Sequence, residues 1–359
     1  MNLDLARQLL LDGVGSIYPS AQLVVCEGGK TVLDEAVGEC DADTLFDVAS
    51  LTKALVTTTL AMRLVESSRL GLGDELRPGV TVRHALAHAT GLPAWRPLYD
   101  LVDADTEDRR AAMIAAALHE PLEAPPGTRS VYSDLGFILL GDAIERAGGA
   151  RLDAQWAEVA ASYAIGATFE PPSERCAPTR RSPAIAGAPA TPPDEAELEL
   201  AGTVNDDNAL AMEGVAGHAG LFATARDVSA MAAALVTSWC NRTQPWCSRT
   251  MPLPARTETV REFWSPAGVP GSSWCLGWDR PTQTPGEVSQ AGRLWPRDGV
   301  GHLGFTGCSL WIDPARGRWV VLLTNRVFLG DNPQAIKLFR PALHDAIADE
   351  GAGASPVSR

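Results

Sequence analysis

Apolar and polar positions alternate at both ends of the chain, and this marks both ends as strand-forming. AQLVVCEGGKTVLDEAVG, residues 21–38, reads as two strands joined at Gly28-Gly29, since paired glycines supply the positive φ a tight hairpin needs. CSLWIDPARGRWVVLLTNRV, residues 308–327, reads as a second hairpin turning between Asp313 and Gly317. Apolar positions at helical spacing predict helices over residues 2–12, over 51–67 behind Ser50, and in the closing PQAIKLFRPALHDAIADE, where Ala335, Leu338, Leu343 and Ile347 recur. Such a pattern predicts an α/β fold, with an antiparallel sheet built from both chain termini and helices flanking it. Residues 1–69 and 239–359 would form this α/β part. Residues 70–238, which carry AAMIAAALHE, GFILLGDAIERAG and ARDVSAMAAALVTSW, read as an inserted, mainly helical subdomain. Residues 171–203 and 241–290, rich in Pro and in Ala or Ser and Thr, predict long loops, and the tail GAGASPVSR a mobile end.

Composition narrows the function classes. A chain of 359 residues with 45% hydrophobic content is long enough for a large core, and a net charge of −14 argues against nucleic acid or anionic membrane as the main partner. The first residues lack a basic segment and a cleavage site, and no uncharged run reaches the length of a membrane span. Seven cysteines, an odd number without Cys-x-x-Cys pairs, argue against a full disulfide framework and against a zinc ribbon. Together these features predict a soluble protein of a reducing compartment, the cytoplasm. Its oligomeric state is not legible.

Candidate chemistry begins with Ser50-x-x-Lys53. Only three lysines occur, Lys30, Lys53 and Lys337, and one of them lies a helical turn after a serine. Arginine stays protonated, whereas lysine can lose its proton and act as a base beside a hydroxyl. A spacing of three puts both side chains on one helix face. The plain alternative is a helix-start serine followed by a solvated lysine. His84 and His88 share helical i, i+4 spacing, but Ala85 stands where a zinc protease needs Glu, so both read as structural. No metal or cofactor is expected.

Two further motifs follow in order: PPGTRSVYSDLGFILLG, with Tyr132, Ser133 and Asp134 ahead of a helix, and GVGHLGFTGCSLW, with His302-Leu303-Gly304 ahead of a strand. With Ser50-x-x-Lys53 and the stretches HALAHATGLPAW, GTVNDDNALAMEGVAGHAGLFATA and LGWDRP, this order resembles the serine β-lactamase and penicillin-binding-protein superfamily. The resemblance is to its class C-like branch of esterases, D-amino-acid peptidases and carboxypeptidases, and runs over about residues 15–345.

The resemblance implies a serine hydrolase working through an acyl-enzyme on a carboxylic ester or a small peptide amide. Ser50 would be the nucleophile, Lys53 and Tyr132 the shared base, and His302 would orient Tyr132 or the substrate. The backbone N–H groups of Ser50 and Phe305 would form the oxyanion hole. Asp134, Leu303, Gly304 and His218 would line the substrate site. Three positions depart from the family pattern: Asp134 replaces Asn and can only accept hydrogen bonds when ionised, Leu303 replaces Thr, and Asn205 stands where His is expected. Asp134 is then free to hold Lys53 or a substrate amine. The departures leave room for two other readings, a non-catalytic penicillin-binding-like module that binds a ligand or partner, and a β-lactamase or D,D-carboxypeptidase.

Overall fold

The computed structural model describes residues 1–180, 199–282, 288–330 and 333–349. Five antiparallel strands form the main sheet: β1 (Ser20–Glu27), β2 (Lys30–Gly38), β3 (Val300–Leu303), β4 (Ser309–Asp313) and β5 (Arg318–Thr324), in the order β2-β1-β5-β4-β3. The two ends of the chain meet at β1 and β5, where Leu23 lies opposite Leu322 and Val25 opposite Val320. Both expected hairpins are present, and glycines 28, 29 and 317 adopt positive φ at their turns.

Alternation along the strands splits the core in two. Leu23 and Val25 of β1 and Val320 and Leu322 of β5 pack with Ala6 and Leu10 of helix α1 (Leu3–Asp12) and with Ile336, Phe339, Leu343 and Ile347 of the C-terminal helix, Gln334–Ala348. Val24, Cys26, Val321 and Leu323 point the other way, into a larger apolar cluster that continues without a break into the helical layer. Period-two alternation with apolar residues on both faces is what a sheet covered on both sides requires. Helix Ala225–Trp239 lies in that second layer, capped by a Thr224–Asp227 box.

Two expectations need correcting, and one disulfide is present. Leu338 is 70% exposed; the buried stripe of the last helix runs through Ile336, Phe339, Leu343 and Ile347 instead. The stretch 241–290 contains a helix, Thr257–Phe263, too short to announce itself by periodicity. Cys240 and Cys247 are joined by a disulfide, and the other five cysteines are free. Much of the long loop at 171–203 and the tail GAGASPVSR lie outside the described residues. No helix among the described residues is long and apolar enough to cross a membrane.

Candidate active site

Ser50 sits where a short strand, Phe46–Asp47, turns into a helix running to Glu66. The turn is held tightly. Ala49 takes a positive φ of 49°, unusual for a residue with a side chain, and its N–H donates to Asp47 Oδ1 at 2.8 Å. Asp47 is buried and also accepts the Asn205 N–H at 2.7 Å, so Asn205 serves the nucleophile's support; burial pushes the Asp47 carboxyl up to about 6. From Lys53 to Thr58 the helix widens into a π turn, and the Thr58 hydroxyl donates to the Lys53 carbonyl at 2.7 Å. Such turns recur at functional sites.

Lys53 is wholly buried. Its Nζ lies 2.8 Å from Ser50 Oγ, 2.9 Å from the His218 carbonyl and 2.7 Å from Asp134 Oδ1. Two of its N–H donors are directed, at Ser50 Oγ and the His218 carbonyl, and the Asp134 contact is an ion pair. Burial alone would depress this amine; the Asp134 carboxylate and Tyr132 outweigh it and hold the ammonium above its ordinary range. Burial, with Asp134 adding to it, raises the Tyr132 phenol against the lowering influence of Lys53. Lys53 Nζ stands 4.9 Å from the Tyr132 ring centroid.

Ser133 caps the helix α2 (Asp134–Gly148), its Oγ accepting the Gly136 N–H at 3.3 Å and donating to the Pro93 carbonyl at 2.7 Å. That cap sets the direction in which Tyr132 and Asp134 leave the chain. His88 contributes on the other side: Nδ1 accepts the Ser133 N–H at 3.1 Å, and the imidazole stacks 4.5 Å from the Tyr132 ring. His88 is therefore structural, as the spacing argument has it, but it supports the site directly. His84 joins a capping box with Thr81 at the start of Val82–Leu86.

His302 lies in β3, 1% exposed, with ring centroids 6.1 Å from Tyr132 and 5.5 Å from Trp274. Its Nδ1 is 2.8 Å from the Leu303 carbonyl. A carbonyl only accepts, so Nδ1 carries the proton and Nε2 a lone pair, buried and without a hydrogen-bond partner among the described residues. Burial and the Lys53 charge lower His302 to about 3, which keeps the ring neutral. Trp274, absent from the sequence-derived site, closes the group by packing against His88, Tyr132 and His302. It lies in an aperiodic, Trp-containing loop, where only an excess of tryptophan could have hinted at it.

The second half of the candidate oxyanion hole follows β3. A Cβ on Gly304 would lie 2.5 Å from the Val48 carbonyl oxygen, so only glycine allows the loop to approach the nucleophile's strand so closely. Thr306 Oγ1 donates to the Asp47 carbonyl at 2.7 Å and ties the two segments together. Neither the Ser50 nor the Phe305 N–H is engaged in a hydrogen bond among the described residues. Leu303 is partly buried, packs against the core shared by α1 and the C-terminal helix rather than against the Lys53 cluster, and adds no hydroxyl. His218 differs from the expectation that its side chain lines the cleft. Its imidazole is 1% exposed and pairs with Asp206 at 2.9 Å, and its contact with the site is the carbonyl that receives Lys53.

Comparison with known proteins places these residues in context. A family model described as Beta-lactamase matches residues 11–340. An N-acetylmuramyl-L-alanine amidase of Bacillus subtilis (strain 168) is 26% identical over 364 residues, spanning 89% of this chain and 80% of the relative. Among solved structures, EstCE1, a hydrolase with promiscuous acyltransferase activity, superimposes with a TM-score of 0.72 at 19% identity, covering 97% of this chain and 98% of its own. A penicillin-binding-protein homolog from Caulobacter crescentus gives 0.67 at 18% identity, covering 96% and 97%.

Proposed function

Since this chain belongs to the beta-lactamase family and is a serine hydrolase, we propose that Ser50 is its nucleophile and that it cleaves short-chain esters or small peptide amides through an acyl-enzyme. The observation that carries the assignment is Lys53, wholly buried with its ammonium on Ser50 Oγ, Asp134 and the His218 carbonyl at once. Burying a lysine against a serine hydroxyl carries a desolvation cost that packing alone does not call for. Lys53 donates to Ser50, so in this arrangement it is not the group that takes the serine proton. Tyr132 is: burial and Asp134 favour its phenol, the adjacent ammonium partly offsets them, and once the phenol has released its own proton to solvent the phenolate accepts the serine proton as Oγ attacks the carbonyl carbon. The carbonyl oxygen becomes the tetrahedral oxyanion, received by the Ser50 and Phe305 N–H groups. Collapse expels the leaving group, which takes that proton from Tyr132; Tyr132 then accepts a proton from the attacking water and passes it to Ser50 Oγ as the acyl group leaves as the acid.

Two features set the substrate class. Leu303 supplies no hydroxyl for the carboxylate of a β-lactam, and ionised Asp134 cannot donate to a side-chain amide. The name of the Bacillus subtilis relative supports including amides. The test is covalent labelling with a fluorophosphonate, mapped by mass spectrometry. One label on Ser50, absent in Ser50→Ala with unchanged circular dichroism, is expected; a label elsewhere, or labelling that survives the substitution, refutes the assignment.

A further inference from the structure

Arg340 lies in the C-terminal helix, 5% exposed, on the sheet face away from the catalytic helix layer. Its guanidinium is spent on backbone carbonyls: Nε is 3.1 Å from the Gly307 oxygen, and Nη2 is 2.9 Å from that of Gly304 and 2.8 Å from that of Cys308. All three belong to the loop that follows β3 and contains Phe305. Burying a guanidinium carries a large desolvation cost, which charge-assisted hydrogen bonds of this kind offset.

One of these bonds reaches the chemistry through covalent geometry. The Gly304 carbonyl and the Phe305 N–H belong to the same peptide group, which is planar and trans, so the two point in opposite directions. The guanidinium, together with the Gly307 N–H that also donates to this carbonyl at 3.1 Å, therefore fixes the N–H on the far side of the plane. The rest of the loop is fastened as well: the Thr306 carbonyl accepts from Thr324 Oγ1 at 2.8 Å and from the Arg326 N–H at 3.1 Å, and Gly304 N–H donates to the Cys308 carbonyl at 2.7 Å. The Phe305 N–H has no hydrogen bond among the described residues. A positive charge on the carbonyl also polarises the peptide and strengthens the N–H as a donor.

We propose that Arg340 is a positioning residue of the oxyanion hole, acting through the Gly304–Phe305 peptide plane to aim and polarise the Phe305 N–H. This rests on the hydrolase reading above, with Phe305 as an oxyanion donor. Arg340 touches no substrate.

The experiment compares wild type with Arg340→Lys, which keeps a buried cation but loses the planar fork, and with Arg340→Ala where it folds. Removing one oxyanion donor typically costs about 10²–10³ in kcat, and a misaimed donor approaches that loss. For Arg340→Lys we expect kcat on a nitrophenyl ester to fall at least tenfold with KM little changed. Affinity for a boronic acid, whose tetrahedral adduct mimics the transition state, should fall by a similar factor. Added guanidinium ion should restore part of the rate of a folded Arg340→Ala. A structural role alone would lower the melting temperature without this joint loss. A wild type that takes no fluorophosphonate label overturns the hydrolase reading and this inference with it. A labelled wild type whose Arg340→Lys variant keeps both kcat and boronate affinity overturns this inference alone.

Discussion

Lys53 Nζ and Asp134 Oδ1 lie 2.7 Å apart, the lysine wholly buried and the aspartate side chain 17% exposed. The carboxylate raises the lysine and also raises Tyr132, so it opposes proton release from both groups. The position where a family relative carries a neutral amide thus sets this protein's proton inventory.

Replacing Asp134 by Asn removes a negative charge from beside both groups. The sign is the same whichever of them limits the rate: without the carboxylate, each loses its proton at lower pH. The acidic limb of kcat/KM against pH should move down by about one unit or more, a typical size for loss of an adjacent opposite or like charge. An unmoved limb, or one displaced upward, would show that Asp134 does not govern the base.

Tyr132→Phe keeps the ring that packs against His88 and Trp274 and deletes only the hydroxyl. General-base removal costs about 10²–10⁴ in rate. A fall of about 100-fold or more in kcat, at unchanged melting temperature, is expected from steady-state ester hydrolysis. Near-normal turnover excludes Tyr132 from proton transfer.

Leu303→Thr tests the proposed substrate-site role of this position by restoring the hydroxyl of the family motif. A hydrogen bond to a charged group is worth about 1.5–3 kcal/mol, so nitrocefin acylation should rise about tenfold or more relative to nitrophenyl butyrate. The wild type should turn over the ester faster than nitrocefin. If nitrocefin is already the better wild-type substrate, the role given to Leu303 fails.

His344 carries a stability prediction. It is fully buried in the C-terminal helix, with Nδ1 2.8 Å from the Gln290 carbonyl, and burial lowers it to about 4. The unfolded chain binds a proton near pH 6.5, whereas the folded one does so only near 4. Its contribution is therefore full above pH 6.5 and is lost as pH falls towards 4, by about 1.4 kcal/mol per pH unit at the steepest. Asp47 and Asp279, both raised to about 6 by burial, act in the opposite sense between about 3.8 and 6. Comparison with His344→Asn cancels those carboxylates. The variant should be less stable than wild type at pH 7.5, and urea denaturation should show the gap narrowing by pH 5; a constant or widening gap would contradict the assignment.

The parts of this protein that were legible in its residues are those decided over short distances. Gly28-Gly29 and the Asp313 to Gly317 turn mark their hairpins because turn chemistry is local. Ser50 and Lys53 share a helix face because three residues separate them, and the distance of 2.8 Å between their side chains follows. Tyr132 and His302 were found only through the resemblance of their motifs, since nothing in a lone Tyr or His specifies where it will lie in space.

Tertiary closure decided the rest. Lys53 is held by the carbonyl of a residue 165 positions away, and the loop bearing Phe305 by an arginine 32 to 36 positions further on. Every residue has a carbonyl, so no side-chain pattern announces which one will receive a buried charge. No local pattern marks Trp274 or Arg340, one in an aperiodic loop and the other on a helix whose buried face reads as apolar. Local propensity and spacing selected the elements and the reactive pair; the packing of both chain ends into one sheet, and of that sheet against the helical layer, determined which distant backbone groups surround the pair and so what its protons can do.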